Sequence, residues 1–164
     1  MFRIILMLLV VSTSLLALEA QIFHQWIRSN PGGGGAFSTI GAGPAAPNGG
    51  SQIIAGSDLS GAYFSWDGGQ SWGVYGSLQG LTNTHVSGIG FHPTDADVFF
   101  LGVDGGIYKS STGGGYFYQV FPDGYITDIQ VAPSQPNRVY ATYHTYYDSS
   151  EELFCVPMMR RKLV

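Results

Sequence analysis

Charge is scarce in this sequence. Of its 164 residues only 7 are Lys or Arg and 11 are Asp or Glu, so charged residues make up 11%. That lies well below the roughly 25% of an ordinary globular chain. A disordered polymer is rich in charge and poor in aromatics, whereas this chain holds 10 Phe, 10 Tyr and 3 Trp. The net charge of −4 offers no basic footprint for nucleic acid. Cysteine is nearly absent. Cys155 stands alone, so it can form no internal disulfide and no Cys-based zinc site. His24, His85, His92 and His144 lack metal-ligand spacing, and neither a metal nor a cofactor is expected. Helical patterning is missing too. No stretch from residue 30 to 147 repeats apolar residues at i, i+3, i+4, i+7 over three turns.

Glycine is abundant, at 24 residues, without the every-third-residue period of collagen. Many turns, many aromatics and few charges indicate an all-β fold. The first twenty residues stand apart. Met1-Phe2-Arg3 gives a positive start, Ile4 to Leu18 is almost wholly apolar, and Ala17 and Ala20 are small. This is the layout of a secretory signal over residues 1–20, which implies a secreted, periplasmic or extracellular protein. The apolar run falls short of the about 20 residues of a membrane span, so no membrane partner is expected beyond the signal.

After Gln21 the chain is a train of short β-type runs punctuated by Gly, Pro, Asn and Asp. Strands are expected at Ala36–Ile40, Gln52–Gly56, Ala62–Ser65, His85–Phe91, Val98–Val103, Gly106–Ser110, Phe117–Phe121, Ile126–Val131 and Arg138–Tyr143. An internal repeat organises them. Ile54-Ala55-Gly56-Ser57-Asp58 through Ser65 corresponds to Phe100-Leu101-Gly102-Val103-Asp104 through Ser110, offset by 46 residues at the Asp. His85 to Pro93 corresponds to Tyr125 to Pro133 at an offset of 40, and a weaker copy opens the series at Gly32–Ile40. A period of 40–46 residues with about four short strands marks a β-propeller blade. The expected fold is therefore an incomplete propeller of about two to three blades, each a four-stranded antiparallel sheet, over residues 26–147. Residues 148–164 match no blade and are read as a non-repeat tail, as a truncated reading frame would leave.

One motif has its own chemistry. Ser65-Trp66-Asp67-Gly68-Gly69-Gln70-Ser71-Trp72 fits the pattern Ser-x-Asp-x-Gly-x-Ser/Thr-Trp. The Asp carboxylate suits a tight hairpin because it accepts backbone N–H bonds, while Gly permits positive φ. The stretch resembles the BNR/Asp-box repeat proteins, which makes Asp67 a turn residue and not a catalyst. The matching segment Ser110 to Phe117 is degenerate, with Thr112 in place of the Asp and Phe117 in place of the Trp.

Gly32-Gly33-Gly34-Gly35 followed by Ser57-Asp58-Leu59-Ser60-Gly61-Ala62-Tyr63 resembles the first blade of xyloglucanase-like glycoside hydrolases of the sialidase superfamily, which have two propellers. Their Gly-rich start precedes a Thr-Asp-x-Gly-Gly-Ala-Tyr segment whose Asp is the general base. The resemblance makes Asp58 the candidate catalytic residue, with Ser57 and Ser60 as departures from that pattern. Asp104 holds the same place in the next repeat, so backbone closure at a strand end is the alternative role for Asp58.

Inverting hydrolysis needs two carboxyl groups about 6.5–9.5 Å apart. In the resembled family the acid comes from the second propeller, and Asp95, Asp97, Asp123 and Asp128 lack motifs of their own. This chain by itself is therefore expected to be catalytically incomplete. Sialidase chemistry is disfavoured, since only Arg28 and Arg138 are available where three Arg bind the substrate carboxylate. Gly32–Gly35 precedes no helix with a Lys, so it is no phosphate loop, and no Gly-x-Ser-x-Gly elbow occurs. Tyr63, Trp66, Tyr75, Tyr116 and Tyr118 offer rings that stack on sugars or pack in a core.

Two function classes follow. One is the N-terminal part of a secreted hydrolase acting on or binding a β-glucan or xyloglucan polysaccharide. The other is a non-catalytic scaffold that binds protein or glycan, as sortilin-type and photosystem-assembly propellers do. Open blade edges would favour self-association in either case.

Overall fold

The computed structural model describes residues 28–45, 50–145 and 148–157. The signal expected at residues 1–20 lies outside them, as do residues 158–164 of the expected tail. Among the described residues there are eleven strands: β1 (Phe37–Ala45), β2 (Ser51–Ser57), β3 (Ala62–Ser65), β4 (Gly73–Tyr75), β5 (Val86–Phe91), β6 (Val98–Val103), β7 (Gly106–Ser111), β8 (Phe117–Phe121), β9 (Tyr125–Val131), β10 (Arg138–Thr145) and β11 (Asp148–Pro157). A 3₁₀ turn, Ser77–Gln79, follows β4. Among the described residues no helix is long and apolar enough to cross a membrane.

The strands form three antiparallel meanders: β1-β2-β3-β4, β5-β6-β7-β8, and β9-β10-β11. These are partial propeller blades. Two corrections to the expected layout follow. The third sheet has three strands, and residues 148–157, read from sequence as tail, supply the last of them. The pairing runs from Thr145↔Asp148 to Arg138↔Pro157, so the backbone ladder continues although the side-chain pattern does not repeat. The short β4, bracketed by Trp72 and Gly76, is also absent from the sequence expectation.

Alternation of side chains puts one face of each sheet against its neighbour. Ile54, Ala62 and Tyr75 of the first sheet meet Val86, Ile89, Phe99, Leu101 and Phe117 of the second. Phe100 and Ile107 of the second meet Ile126, Ile129, Val139 and Ala141 of the third. Tyr75 is the hub of the first seam, stacked on Phe64 at 4.1 Å and edge-on to Phe117 at 5.3 Å.

The seams close tightly because the first strands carry glycine inside the sheet. A methyl at Gly41 would lie 2.9 Å from Ile89 Cγ2, and one at Gly90 2.5 Å from Ile129 Cγ2. Gly41, Gly43, Gly88, Gly90 and Gly102 have no positive φ, so they serve contact and not turn geometry.

Candidate functional site

The β2–β3 turn carries Asp58. Its N–H donates to the Ala36 carbonyl at 3.0 Å, and its Oδ1 accepts the Ala36 N–H at 2.7 Å. The neighbouring serines tie down the Gly-rich loop. Ser57 Oγ donates to the Gly34 carbonyl at 3.1 Å, and Ser60 Oγ donates to the same carbonyl at 2.5 Å. Ser57 Oγ also accepts the N–H groups of Leu59 and Ser60, each at 3.2 Å. Gly35 makes this approach possible: its φ is +90°, and a methyl there would sit 2.2 Å from Asp58 Oδ1. Gly33 lies against the Tyr63 hydroxyl in the same way. Asp58 is thus half-buried under residues 33–36, with Oδ1 engaged and no described partner on Oδ2.

Asp104 occupies the equivalent β6–β7 turn without such a cover. Its N–H donates to the His85 carbonyl at 3.2 Å, and the Asn83 side-chain amide donates to its carbonyl. Its Oδ1 is buried without a hydrogen-bond partner among the described residues. The segment Asn83–His85 joins both turns, because the Gly61 N–H donates to the Thr84 carbonyl at 2.9 Å. Beside it, the Tyr125 hydroxyl lies 3.2 Å from His85 Nε2, and the two rings meet edge-on at 5.1 Å. His144 stacks on Tyr125 at 6.5 Å. The sequence singled out Asp58 and Asp104 but not the His85–Tyr125–His144 row. The 40-residue offset between His85 and Tyr125 is the signal that identifies it.

Asp67 lies in the β3–β4 turn, the other kind of turn in the sheet. Its Oδ1 accepts the Gln70 and Ser71 N–H groups at 2.9 Å each and the Ser65 hydroxyl at 2.8 Å, while Oδ2 accepts the Ser71 hydroxyl at 2.6 Å. These bonds, the Ser71 hydroxyl foremost, hold the carboxyl far below the usual carboxylate range. It is a turn residue, as the spacing predicted. In the second sheet Thr112 Oγ1 accepts the Tyr116 N–H at 3.0 Å, so a hydroxyl does there what the carboxylate does here.

The remaining candidates disperse. Tyr75 is buried in the first seam, and burial pushes its phenol above its ordinary range, whereas Tyr63 is buried on the opposite face of the first sheet, edge-on to Phe37 at 5.3 Å. Tyr116 and Tyr118 are exposed. His92 caps the β5–β6 turn by accepting the Asp95 N–H on Nδ1 at 3.0 Å. Among the described residues no cluster of His, Cys, Asp or Glu suits a metal ion.

No protein-family model matches this chain, and no curated protein matches it. Among solved structures it is similar to an ancestral GH74 enzyme, with 28% identity and a TM-score of 0.60. The match covers 72% of this chain but 15% of that one, so this chain spans a small part of the length of the enzyme it resembles. The similarity supports a glycoside-hydrolase-like propeller fold.

Proposed function

We propose that this chain is the N-terminal part of a secreted, glycoside-hydrolase-like propeller of the BNR/Asp-box type. It acts on or binds a polysaccharide of the β-glucan or xyloglucan class. Asp58 is the base that activates water, and a second carboxyl group completes the reaction from outside these residues, since inversion needs an acid about 6.5–9.5 Å from the base. The observation that carries this reading is the fixing of Asp58 beneath the Gly-rich loop. The Asp58 N–H anchors the backbone to the Ala36 carbonyl, and the Ala36 N–H orients the carboxyl group through Oδ1, which leaves Oδ2 for a water or a sugar hydroxyl.

Two measurements test it. Native electrophoresis in gels containing xyloglucan should retard the full chain, and an unchanged mobility counts against polysaccharide as partner. Residues 28–157, grafted over the matching part of the ancestral GH74 enzyme, should hydrolyse xyloglucan. In that chimaera Asp58→Asn should lower kcat by at least about a hundredfold, the usual minimum for a lost general base. Undiminished turnover in the Asn variant removes Asp58 from the chemistry.

The repeat favours a second reading. Asp104 closes its own turn through its backbone, as Asp58 does, so an Asp at this position is accounted for by turn closure. On that reading the chain is a non-catalytic scaffold, and the chimaera's activity is indifferent to residue 58.

A further inference from the structure

The β3–β4 turn holds two tryptophans that are used differently. Trp72 is the Trp that the pattern Ser-x-Asp-x-Gly-x-Ser/Thr-Trp requires, and its Nε1–H donates to Ser29 Oγ at 2.8 Å and to the Gly69 carbonyl at 3.1 Å. Trp66 fills a position that the pattern leaves free. Its counterpart in the second sheet is Ser111, and the turn closes there in the same way: Ser110 Oγ accepts the Gly114 N–H at 2.9 Å, as Ser65 Oγ accepts the Gly69 N–H at 2.7 Å. The turn therefore needs no indole at residue 66. Trp66 is half-buried and meets Phe64 edge-on at 6.4 Å, and its Nε1–H has no hydrogen-bond partner among the described residues.

Trp66 stands on the wall of a groove of about 360 Å³ between the first two sheets. Phe64 and Tyr75 continue that wall, and the β7–β8 turn, residues 112–115, forms the opposite one. The groove lies at the other end of β3 from Asp58, because the β2–β3 and β3–β4 turns close opposite ends of that strand. Gly113, Gly114 and Gly115 leave the second wall without side chains. Gly114 has a φ of +88°, and a methyl there would collide with the Tyr75 ring. Gln79 lines the groove as well. Its Oε1 accepts the Gly76 N–H at 2.9 Å, while its Nε2 has no partner among the described residues. Both sheets that border the groove belong to this chain, so its walls do not wait on any further blade.

We propose, resting on the polysaccharide reading above, that this groove binds a neutral sugar ring of the polysaccharide at a site separate from Asp58. No charged side chain lines the groove, so neither an anionic nor a cationic group is matched there. What the walls offer is an aromatic ring beside two unspent N–H donors, the Trp66 indole and the Gln79 amide. A pyranose ring answers both, with its C–H face against the indole and its hydroxyl oxygens accepting the N–H groups. A concave site with apolar walls and a few fixed polar groups is the usual form of a small-ligand site.

Electrophoresis of the full chain in native gels of graded xyloglucan content measures the dissociation constant. Trp66→Ser, which installs the residue that the second sheet carries at this position, should raise that constant at least about tenfold. Gln79→Glu keeps the acceptor for the Gly76 N–H and removes the donor, and should raise it about threefold or more. Tyr118→Ser removes an exposed ring outside the groove and should leave it unchanged. Circular dichroism checks that each variant is folded, and if Trp66→Ser is not, Gln79→Glu carries the test. Folded Trp66→Ser and Gln79→Glu variants that bind as tightly as the parent overturn this site and leave the polysaccharide reading standing. An equal loss in Tyr118→Ser also overturns it, since binding would then be general adsorption to exposed rings. A parent chain that xyloglucan does not retard removes the polysaccharide reading and this site together.

Discussion

Replacing Gly102 by alanine is the most direct trial of how the sheets are held together. Gly102 lies in β6 with ordinary strand φ, so alanine there meets no backbone strain. In the unfolded chain it gains about 0.4–1 kcal/mol of relative stability by restricting the backbone. Against this stands the contact across the seam. The new methyl would lie 2.4 Å from Ile126 Cγ2 and 2.8 Å from Ile126 Cβ. Rotation about χ1 moves Cγ2 but not Cβ, so β9 itself must recede. Overpacking of this kind costs about 1–3 kcal/mol, and the Cβ clash places Gly102→Ala toward the upper end. The net expectation is a loss of about 2 kcal/mol. Gly88 is the internal control, since a methyl there finds its nearest atoms at 3.3–3.4 Å, and the two terms should cancel to within about 0.5 kcal/mol. Urea unfolding followed by circular dichroism should show a lower midpoint at unchanged m for Gly102→Ala and almost no shift for Gly88→Ala. Ile126→Ala alone should cost about 2–5 kcal/mol. Combined with Gly102→Ala it should cost less than the sum, with a coupling of about 1 kcal/mol, because the offending Cγ2 is gone. Equal shifts for the two glycine variants, or strict additivity in the double variant, would refute the knob-and-socket account.

Two titrations follow from the turns and the seam. Asp67 has its folded pKa depressed, so the stability it contributes is present above the unfolded value of about 3.9 and is lost as pH falls through the folded value. Asp67→Asn should therefore flatten the acid limb of the stability profile measured by urea unfolding, and an unchanged limb would exclude the turn as its source. Tyr75 has its phenol raised, so its contribution is present below about pH 10 and is lost as pH rises through the folded value. Spectrophotometric titration should show one tyrosine ionising only as the protein unfolds, and Tyr75→Phe should remove that step. The same variant loses the bond from the Tyr75 hydroxyl to the Gly113 carbonyl at 2.9 Å, which is worth about 0.5–1.5 kcal/mol.

Strand runs bounded by turn residues are legible because alternation and turn chemistry are local. All nine expected runs are strands, and β1 extends from Ile40 to Ala45 through Gly41, Gly43 and Pro44. That extension exposes the weak point. Glycine read along the chain signals a turn, as at Gly68 and Gly69, where φ is 71° and 90°. Glycine in β1, β5 and β6 instead answers to an isoleucine or phenylalanine 24–50 residues away in sequence, a relation that only the packed seam displays. The strand β11 was hidden for a related reason. Its Asp148–Pro157 segment matches no repeat, but backbone pairing to β10 demands no particular side chain.

The site shows the same division between local and distant information. Asp58 and Asp104 fall on one repeat position, and by sequence alone either both are structural or the difference between them lies elsewhere. It lies in residues 33–36, which close over Asp58 through Ala36, Ser57 and Ser60 and have no counterpart over Asp104. Over Asp104 the Asn83 side-chain amide and the His85 carbonyl bond its backbone, while the Thr84 carbonyl bonds Gly61 of the first turn and the His85 ring meets Tyr125. A repeated Asp thus acquires two environments because the chain enters the first sheet and the second sheet differently. Glycine serves at Gly35 for the same steric reason as in the seams, since a methyl there would displace Asp58 Oδ1. The Gly-rich run is what permits a covered carboxylate at the first turn, whereas Asp104 Oδ1 is buried with no donor among the described residues.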